Sequence, residues 1–326
     1  MFNKITDKFF SARRVLIMTH RRPDGDALGS SFGLCSFLKF HNIAADVLIA
    51  DPLPRRYQGF TGDFVTSAEL ADYDLFTAVD CANPERLGTG ENFGIDALRQ
   101  RDFISIDHHK GNSIAAPCEW VEPSASSASY MVARLLLSTG KELPAETATY
   151  LMTGIMTDTG SFCFANTDAA TFEIAAELRK RGADIDRIAN TVFFSKPLNQ
   201  LRFEAELVNN CFKIACNGRF AYCFVPESLM EKHNFDMRED EGLIDLLRGI
   251  EGVEIAMLCH KRSDGFRVSL RSKNKQFPVG PIARELNGGG HDMAAGCTVD
   301  LPDFSDVEKL MLPKISSLLS FHEKRK

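Results

Sequence analysis

The sequence predicts a two-domain α/β protein: an N-terminal domain on a parallel sheet, and a smaller α/β domain, with an active-site cleft expected between them. Three observations carry this. Short, continuously apolar runs alternate with helical periodicity in the first part of the chain, the pattern of a parallel sheet covered on both faces. The pattern breaks at Ser195-Lys-Pro-Leu-Asn199 and resumes as strands. The 326 residues also exceed what one hydrophobic core usually holds, roughly 250 to 300.

Taken in order, Val15 to Thr19 reads as a buried strand and Asp26 to Asn42 as a helix with apolar Leu28, Phe32, Leu34, Cys35 and Leu38. Ala45 to Ile49, Leu75 to Val79 and Phe103 to Ile106 are the next strands. Helical patterns follow at Ser126 to Ser138, Ala145 to Thr157, Ala169 to Arg181 and Ile185 to Phe194. Leu198 to Asn210 is expected to be a helix that carries the chain into the second domain. Strands are then expected around Phe212 to Ala215, Phe220 to Val225, Glu254 to Cys259 and Phe266 to Arg271, with helices at Glu241 to Arg248 and Pro281 to Leu286. The expected division is residues 1–190, a linker helix at 191–210, and 211–326. Leu53 to Asp72 and the tail after Asp303 show no readable pattern.

Composition removes several classes of function. Thirty-eight Lys+Arg against 44 Asp+Glu leave a net charge of −6, so no basic surface for long duplex DNA is expected, and any polyanion must be short or met locally. No apolar run approaches the roughly 18 residues of a membrane span. The start, Met1-Phe2-Asn3-Lys4, has no apolar signal segment, so a cytoplasmic location is expected. Nine cysteines without a Cys-x-x-Cys pair read as free thiols rather than disulfides or a zinc site.

The chemistry-bearing residues gather at strand ends. His20-Arg-Arg-Pro-Asp24-Gly25-Asp26 lies where the first strand stops and a helix begins, the ligand-binding edge of open α/β sheets. Taken alone, Asp26 could be a helix cap and Asp24-Gly25 a turn. Asp80, however, ends the third strand and Asp107-His108-His109 the fourth, so three strands deliver acid or imidazole at the same kind of position. Asp158 ends an apolar helix, a poor place for an anion against the helix dipole unless a cation compensates. Carboxylates with a minority of imidazoles and no thiolate suit Mn²⁺, with Mg²⁺ as a substitute ion. Asp24, Asp26, Asp80 and Asp158 carry four negative charges, which two divalent ions neutralise; such a pair activates a water for phosphoester hydrolysis.

His-x-x-x-Asp-x-Asp, a strand-end Asp, Asp-His-His and Asp-x-Gly, in that order, resemble the DHH phosphoesterase superfamily. The resemblance implies that His20, Asp24 and Asp80 bind one Mn²⁺ while Asp26, Asp80, His108 and Asp158 bind the other, with Asp80 as the bridge. It implies that Asp107 orients a histidine and that His109 faces the substrate phosphate. In the second domain, Asn287-Gly288-Gly289-Gly290-His291 pairs a triple glycine with a histidine, an arrangement that lets backbone amides approach an anion. Lys261, Arg262, Arg267, Arg271, Lys273 and Lys275 precede it, opposed only by Asp264. Strand alternation puts Arg267, Ser269 and Arg271 on one face. These segments resemble the DHHA1 domain, and the whole chain is most similar to the nano-RNase/pAp phosphatase branch.

That resemblance implies a hydrolase of short oligonucleotides that also removes the 3′-phosphate of pAp. Arg271, Ser272, Gly288, Gly289, Gly290 and His291 would hold the substrate's other phosphate. Expected partners are thus short oligonucleotides and phosphorylated nucleotides, and a homodimer is compatible with this reading. Alternatives are a cyclic or linear dinucleotide phosphodiesterase, a RecJ-like single-strand exonuclease, and, in another class, a nucleotide-sensing binding protein with a degenerate site. The complete set of acids and imidazoles disfavours the last.

Overall fold

The computed structural model describes residues 2–237 and 242–321. The chain divides into two compact units, Met1–Ser195 and Lys196–Lys326.

The first unit opens with α1 (Phe2–Ser11), β1 (Arg14–Met18), α2 (Gly25–Phe40) and β2 (Ala44–Leu48). It continues through β3 (Leu75–Val79), α3 (Ile95–Arg99), β4 (Phe103–Asp107) and β5 (Cys118–Val121), and closes with α4 (Ala128–Ser138), α5 (Ala145–Asp158), α6 (Ala169–Lys180) and α7 (Ile185–Ile188). The five strands form a wholly parallel sheet in the order β2-β1-β3-β4-β5. Its two faces carry separate cores: Val15, Ile17, Val47 and Ile104 point one way, and Leu16, Met18, Leu48 and Phe103 the other. Continuous apolar runs are what a strand buried on both faces needs. The expected strands and main helices are present; the stretch from Ile185 to Phe194 is a short α-helix followed by a wider π-type turn, Ala189–Phe193.

Glycines set the distance between α2 and α5. Gly25, Gly29 and Gly33 recur every fourth residue and so share one face of α2. That face meets Thr157, Gly154 and Leu151 of α5. A Cβ on Gly29 would lie 2.6 Å from the Tyr150 carbonyl oxygen and 2.7 Å from the Gly154 nitrogen, atoms of backbone that cannot swing away. The close approach brings Asp26, in the first turn of α2, towards Asp158 at the end of α5.

The second unit contains α8 (Leu198–Cys211), β6 (Phe212–Ala215), β7 (Phe220–Val225), α9 (Glu227–His233), α10 (Leu243–Arg248), β8 (Ile255–Arg262) and β9 (Gly265–Ser272). It ends with α11 (Gly280–Glu285), β10 (Gly289–Gly290), β11 (Ala294–Val299) and α12 (Phe304–Phe321). The sheet runs β10-β11-β9-β8-β7-β6 and is antiparallel except for β7 against β8. One face packs on α11 and α12 through Ile282, Val307, Met311 and Ile315. The other takes Phe203 and Leu207 of α8 with Leu243 and Leu247 of α10. Glu241, where the last of these helices was expected to begin, lies outside the described residues.

Seven of these elements escape the sequence reading: α1, α3, β5, α9, β10, β11 and α12. β11 is Ala-Ala-Gly-Cys-Thr-Val, too poor in large side chains to read as a strand, yet it pairs with β9 along its whole length. α12 carries Pro313 in its interior, a residue that ordinarily argues against a helix.

Gly29→Ala is expected to destabilise the first unit by about 3 kcal/mol, the cost of overpacking a tight contact. Gly59→Ala, where a Cβ meets nothing, should stay within about 0.5 kcal/mol. Denaturant midpoints of the two variants provide the check; equal losses would contradict the glycine contact.

Candidate metal centre

β1, β3 and β4 are adjacent in the sheet, so their carboxyl ends, spaced at roughly 4.8 Å per strand, bring His20, Asp80 and Asp107-His108-His109 together. They lie beside the switch point where the chain, having run outward from β1 to β2, returns on the far side of β1 as β3.

His20 follows β1 and is held by the hydrogen bond of its Nδ1 to the Arg21 carbonyl, 2.9 Å. That bond makes Nδ1 the protonated nitrogen and leaves Nε2 as the donor to a metal. Asp24, not Asp26, caps α2: its Oδ1 accepts from the amides of Asp26 (3.1 Å) and Ala27 (3.0 Å). Its Oδ2 is left 3.8 Å from His20 Nε2. Asp26, buried in the first turn, accepts from the Ala128 amide at 2.6 Å and the Ser129 amide at 2.8 Å. These amides open α4, so a helix N-terminus faces this carboxylate.

Asp80 is the centre of the arrangement. It is 2% exposed and adopts a left-handed backbone at φ 53°, uncommon for a residue with a side chain and concentrated at functional sites. Its Oδ2 lies 3.8 Å from His20 Nε2, and its Oδ1 lies 3.5 Å from His108 Nε2. His108 Nε2 is in turn 3.9 Å from Asp26 Oδ2 and 3.8 Å from Asp158 Oδ2. Two sets of donors thus converge: His20, Asp24 and Asp80 on one side, and Asp26, His108 and Asp158 on the other, the atoms of each set within 4.8 Å of one another.

Asp107 and His109 do different work. Asp107 is fully buried; its Oδ1 accepts from His109 Nδ1 at 2.8 Å and its Oδ2 from Asn112 Nδ2 at 2.7 Å. The imidazole is therefore oriented with Nε2 directed away from the acid. Asn112 was not singled out from sequence, and neither was Asn166, which donates to the Ser126 carbonyl (2.9 Å) and to the Asp158 carbonyl and carboxylate (3.1 and 3.4 Å). Both look like ordinary turn asparagines; nothing local marks them.

The electrostatics fit a cation. Burial pushes Asp26 well above the carboxylate range, and the charges of Asp80 and Asp158 add to it. Burial likewise raises Asp158, to about 6, with Asp80 and Asp24 adding to it against the opposing pull of His108. Burial opposes protonation of His20, but the neighbouring carboxylates of Asp24 and Asp80 overcome it and lift its pKa to about 9. His108 is raised well above its usual value by Asp80, Asp158 and Asp26, again against burial. Asp80 Oδ1 has no hydrogen-bond partner despite its burial, a costly state for a carboxylate. The donor atoms lie 3.5 to 3.9 Å apart, close enough for one cation to draw them together. Oxygen and imidazole donors without sulfur suit a divalent cation and differ from the thiolate sets of most structural zinc sites.

In the second unit, β9 alternates as expected: Arg267, Ser269 and Arg271 share the partly exposed face. Ser272 is on the opposite, buried face. Its hydroxyl donates to the Asn274 carbonyl at 3.0 Å and accepts from the Asn274 amide at 3.2 Å, so it shapes a turn and does not join Arg271. The glycine run is a β-hairpin. A Cβ on Gly288 would meet the Gly296 carbonyl oxygen and Cys297, Gly290 turns at φ 115°, and a Cβ on Gly289 would meet nothing. His291 and Ala294 exchange backbone hydrogen bonds of 2.8 and 3.2 Å and close the turn. All nine cysteines are free, and no described helix is long and apolar enough to cross a membrane.

A parallel sheet that delivers two carboxylate–imidazole clusters around one shared aspartate defines an α/β protein with a candidate divalent-cation centre at its carboxyl edge. The DHH family N-terminal domain matches residues 14–155, and the DHHA1 domain matches residues 217–317. The bifunctional oligoribonuclease and PAP phosphatase NrnA of Thermus thermophilus is 31% identical over 94% of this chain and 90% of its own. Its namesake in Bacillus subtilis is 29% identical over 95% and 96%. The crystal structure of an exopolyphosphatase-related protein from Bacteroides fragilis superposes with a TM-score of 0.85 at 26% identity, covering 98% of this chain and 97% of that one. The chain belongs to the DHH family, in its DHHA1-containing form, and is a phosphoester hydrolase.

The raised groups fix the sign of a pH effect. Asp158, His20 and His108 hold protons that a metal ion must displace, so affinity for Mn²⁺ should rise with pH up to about 9. Titration calorimetry in buffers of different ionisation enthalpy should show release of about one or more protons per ion at pH 7, falling by pH 9.5. Binding without proton release at pH 7 would contradict the charge balance described.

Proposed function

We propose that this protein hydrolyses short oligonucleotides and the 3′-phosphate of pAp through a centre holding two Mn²⁺ ions. The observation that carries the reading is Asp80, whose two carboxylate oxygens each face a separate donor set. His20, Asp24 and Asp80 would hold one ion, and Asp26, Asp80, His108 and Asp158 the other. Such a pair, when bound, supplies charge neutralisation at the phosphoryl oxygens and a water acidified towards neutrality. The names of the relatives support the substrate class: both NrnA proteins are called oligoribonuclease and PAP phosphatase.

The chain's own residues do the positioning. His109, locked to Asp107 through Nδ1, offers Nε2 as a hydrogen-bond donor to a phosphate oxygen. Asp107 stabilises the protonated imidazole: burial would raise this acid, but the His109 hydrogen bond and charge and the Asn112 amide hold it below the usual carboxylate range. Asn166 holds the Asp158 carboxylate in place. In the second unit, Arg271, the open backbone at Gly289, and His291 supply the grip on a second phosphate; Ser272, Gly288 and Gly290 serve the fold of that segment. With a chain of −6 overall, a long single strand would gain little from counterion release. Turnover should therefore favour a few nucleotides.

Two measurements test this reading. Asp80→Ala should lower kcat/KM at least about tenfold further than Asp24→Ala, because it removes a donor from both sets. Metal content by mass spectrometry should fall for both ions. For 5′-phosphorylated RNA at fixed Mn²⁺, kcat/KM should drop steeply beyond about five nucleotides; equal values out to about 20-mers would favour a RecJ-like exonuclease. Preference for a cyclic dinucleotide over both pAp and short RNA would favour the phosphodiesterase alternative.

A further inference from the structure

The segment after Asp158 carries a feature that neither metal binding nor the fold requires. Phe172, on the first turns of α6, is 53% exposed. Its ring stacks on Phe162, with centroids 5.3 Å apart and planes inclined by 25°. Phe162 packs against the main core of the first unit, so the pair is an exposed aromatic face on a fixed base.

The pair is tied to the metal centre through a rigid turn. Phe162 stands four positions after Asp158, which limits their Cα distance to about 14 Å even in a fully extended chain. The chain here is far from extended. Gly160, Ser161 and Phe162 are all left-handed, at φ 55°, 55° and 68°, a run that costs roughly 1 kcal/mol or more for each non-glycine residue. Ser161 donates its amide to the Met156 carbonyl at 2.7 Å, and Phe162 donates to Thr159 Oγ1 at 3.1 Å. The Phe164 ring lies on Gly160, where a Cβ would collide with it. Asn166 ties the far side of the turn back to Asp158.

The surface chemistry restricts what this face can bind. Residues 160–173 include Asp168 and Glu173 but no Lys or Arg, so the segment offers no cationic side chain to a phosphate. It suits an uncharged planar group, and stacking on an exposed ring is how proteins hold single-stranded bases without reading their sequence. We propose that Phe172, backed by Phe162, is the platform on which a nucleobase of the substrate stacks while its phosphate is held at the metal centre. This rests on the nucleotide reading given above and adds to it a residue that distinguishes nucleotides from base-free phosphoesters.

The test compares pAp with ribose 3′,5′-bisphosphate, which has the same phosphates and no base. Phe172→Ala should lower kcat/KM for pAp about tenfold, mainly through KM, and leave the base-free compound unchanged. Phe172→Leu should lose as much, and Phe172→Trp should retain wild-type values. Calorimetry on chelator-treated protein should show the same weakening of pAp affinity in the Ala and Leu variants, with circular dichroism and melting temperature unaltered. Equal losses on both compounds, no loss on either, or full activity in Phe172→Leu would overturn the proposal. If the wild-type protein hydrolyses neither pAp nor short RNA, the functional reading fails. The platform then stands or falls on whether chelator-treated wild type binds pAp more tightly than Phe172→Ala does.

Discussion

The centre depends on one buried carboxylate shared between two groups of donors. Asp80 leaves β3 in a left-handed turn and points one oxygen towards His20 and the other towards His108. The other donors are arranged so that this single side chain serves both. The strand order puts β1 and β4 on either side of β3, which brings in His20 from one neighbour and His108 from the other. Asp26 and Asp158 arrive from helices whose separation is set by glycines, since a methyl group on Gly29 would strike the backbone of α5. Sheet order and helix spacing are thus both conditions on where four carboxylates can meet.

Four acids so close together repel one another, and the protein compensates in two ways. Some of the charge is met by fixed groups: α4 directs two amides at Asp26, and the first turn of α2 directs two at Asp24. The rest is not met by fixed groups, which is the condition that favours a bound cation. The unpartnered Oδ1 of Asp80 belongs to this second class; a protein-supplied hydrogen bond there would compete with a metal ion for the same lone pair. Asp107 illustrates the contrast. It is equally buried, but both of its oxygens are satisfied by side chains, which suits an acid that orients a histidine.

The second unit shows a similar economy with glycine. Gly288 and Gly290 are explained by close backbone packing and a positive φ, which leaves Gly289 as the position where the absent side chain opens the surface. A triple glycine in a sequence therefore does not translate into three anion-binding amides.

The sequence alone determined the parallel architecture of the first unit, most of its strands, and the acids and imidazoles of the centre. These were legible because they depend on local information: strands buried on both faces must be continuously apolar, and residues that end such strands lie at a common edge. The opposite orientation of Ser272 was also legible, since adjacent strand residues point to opposite faces, and Ser272 and Arg271 are adjacent. Only the tertiary structure decided the order β2-β1-β3-β4-β5, the exchange of the capping role from Asp26 to Asp24, and the parts played by Asn112 and Asn166. Each is a question of which non-local atoms a side chain meets. β11 makes the same point for the fold: its small residues have little strand preference of their own, and it exists because β9 supplies the hydrogen bonds that pair it.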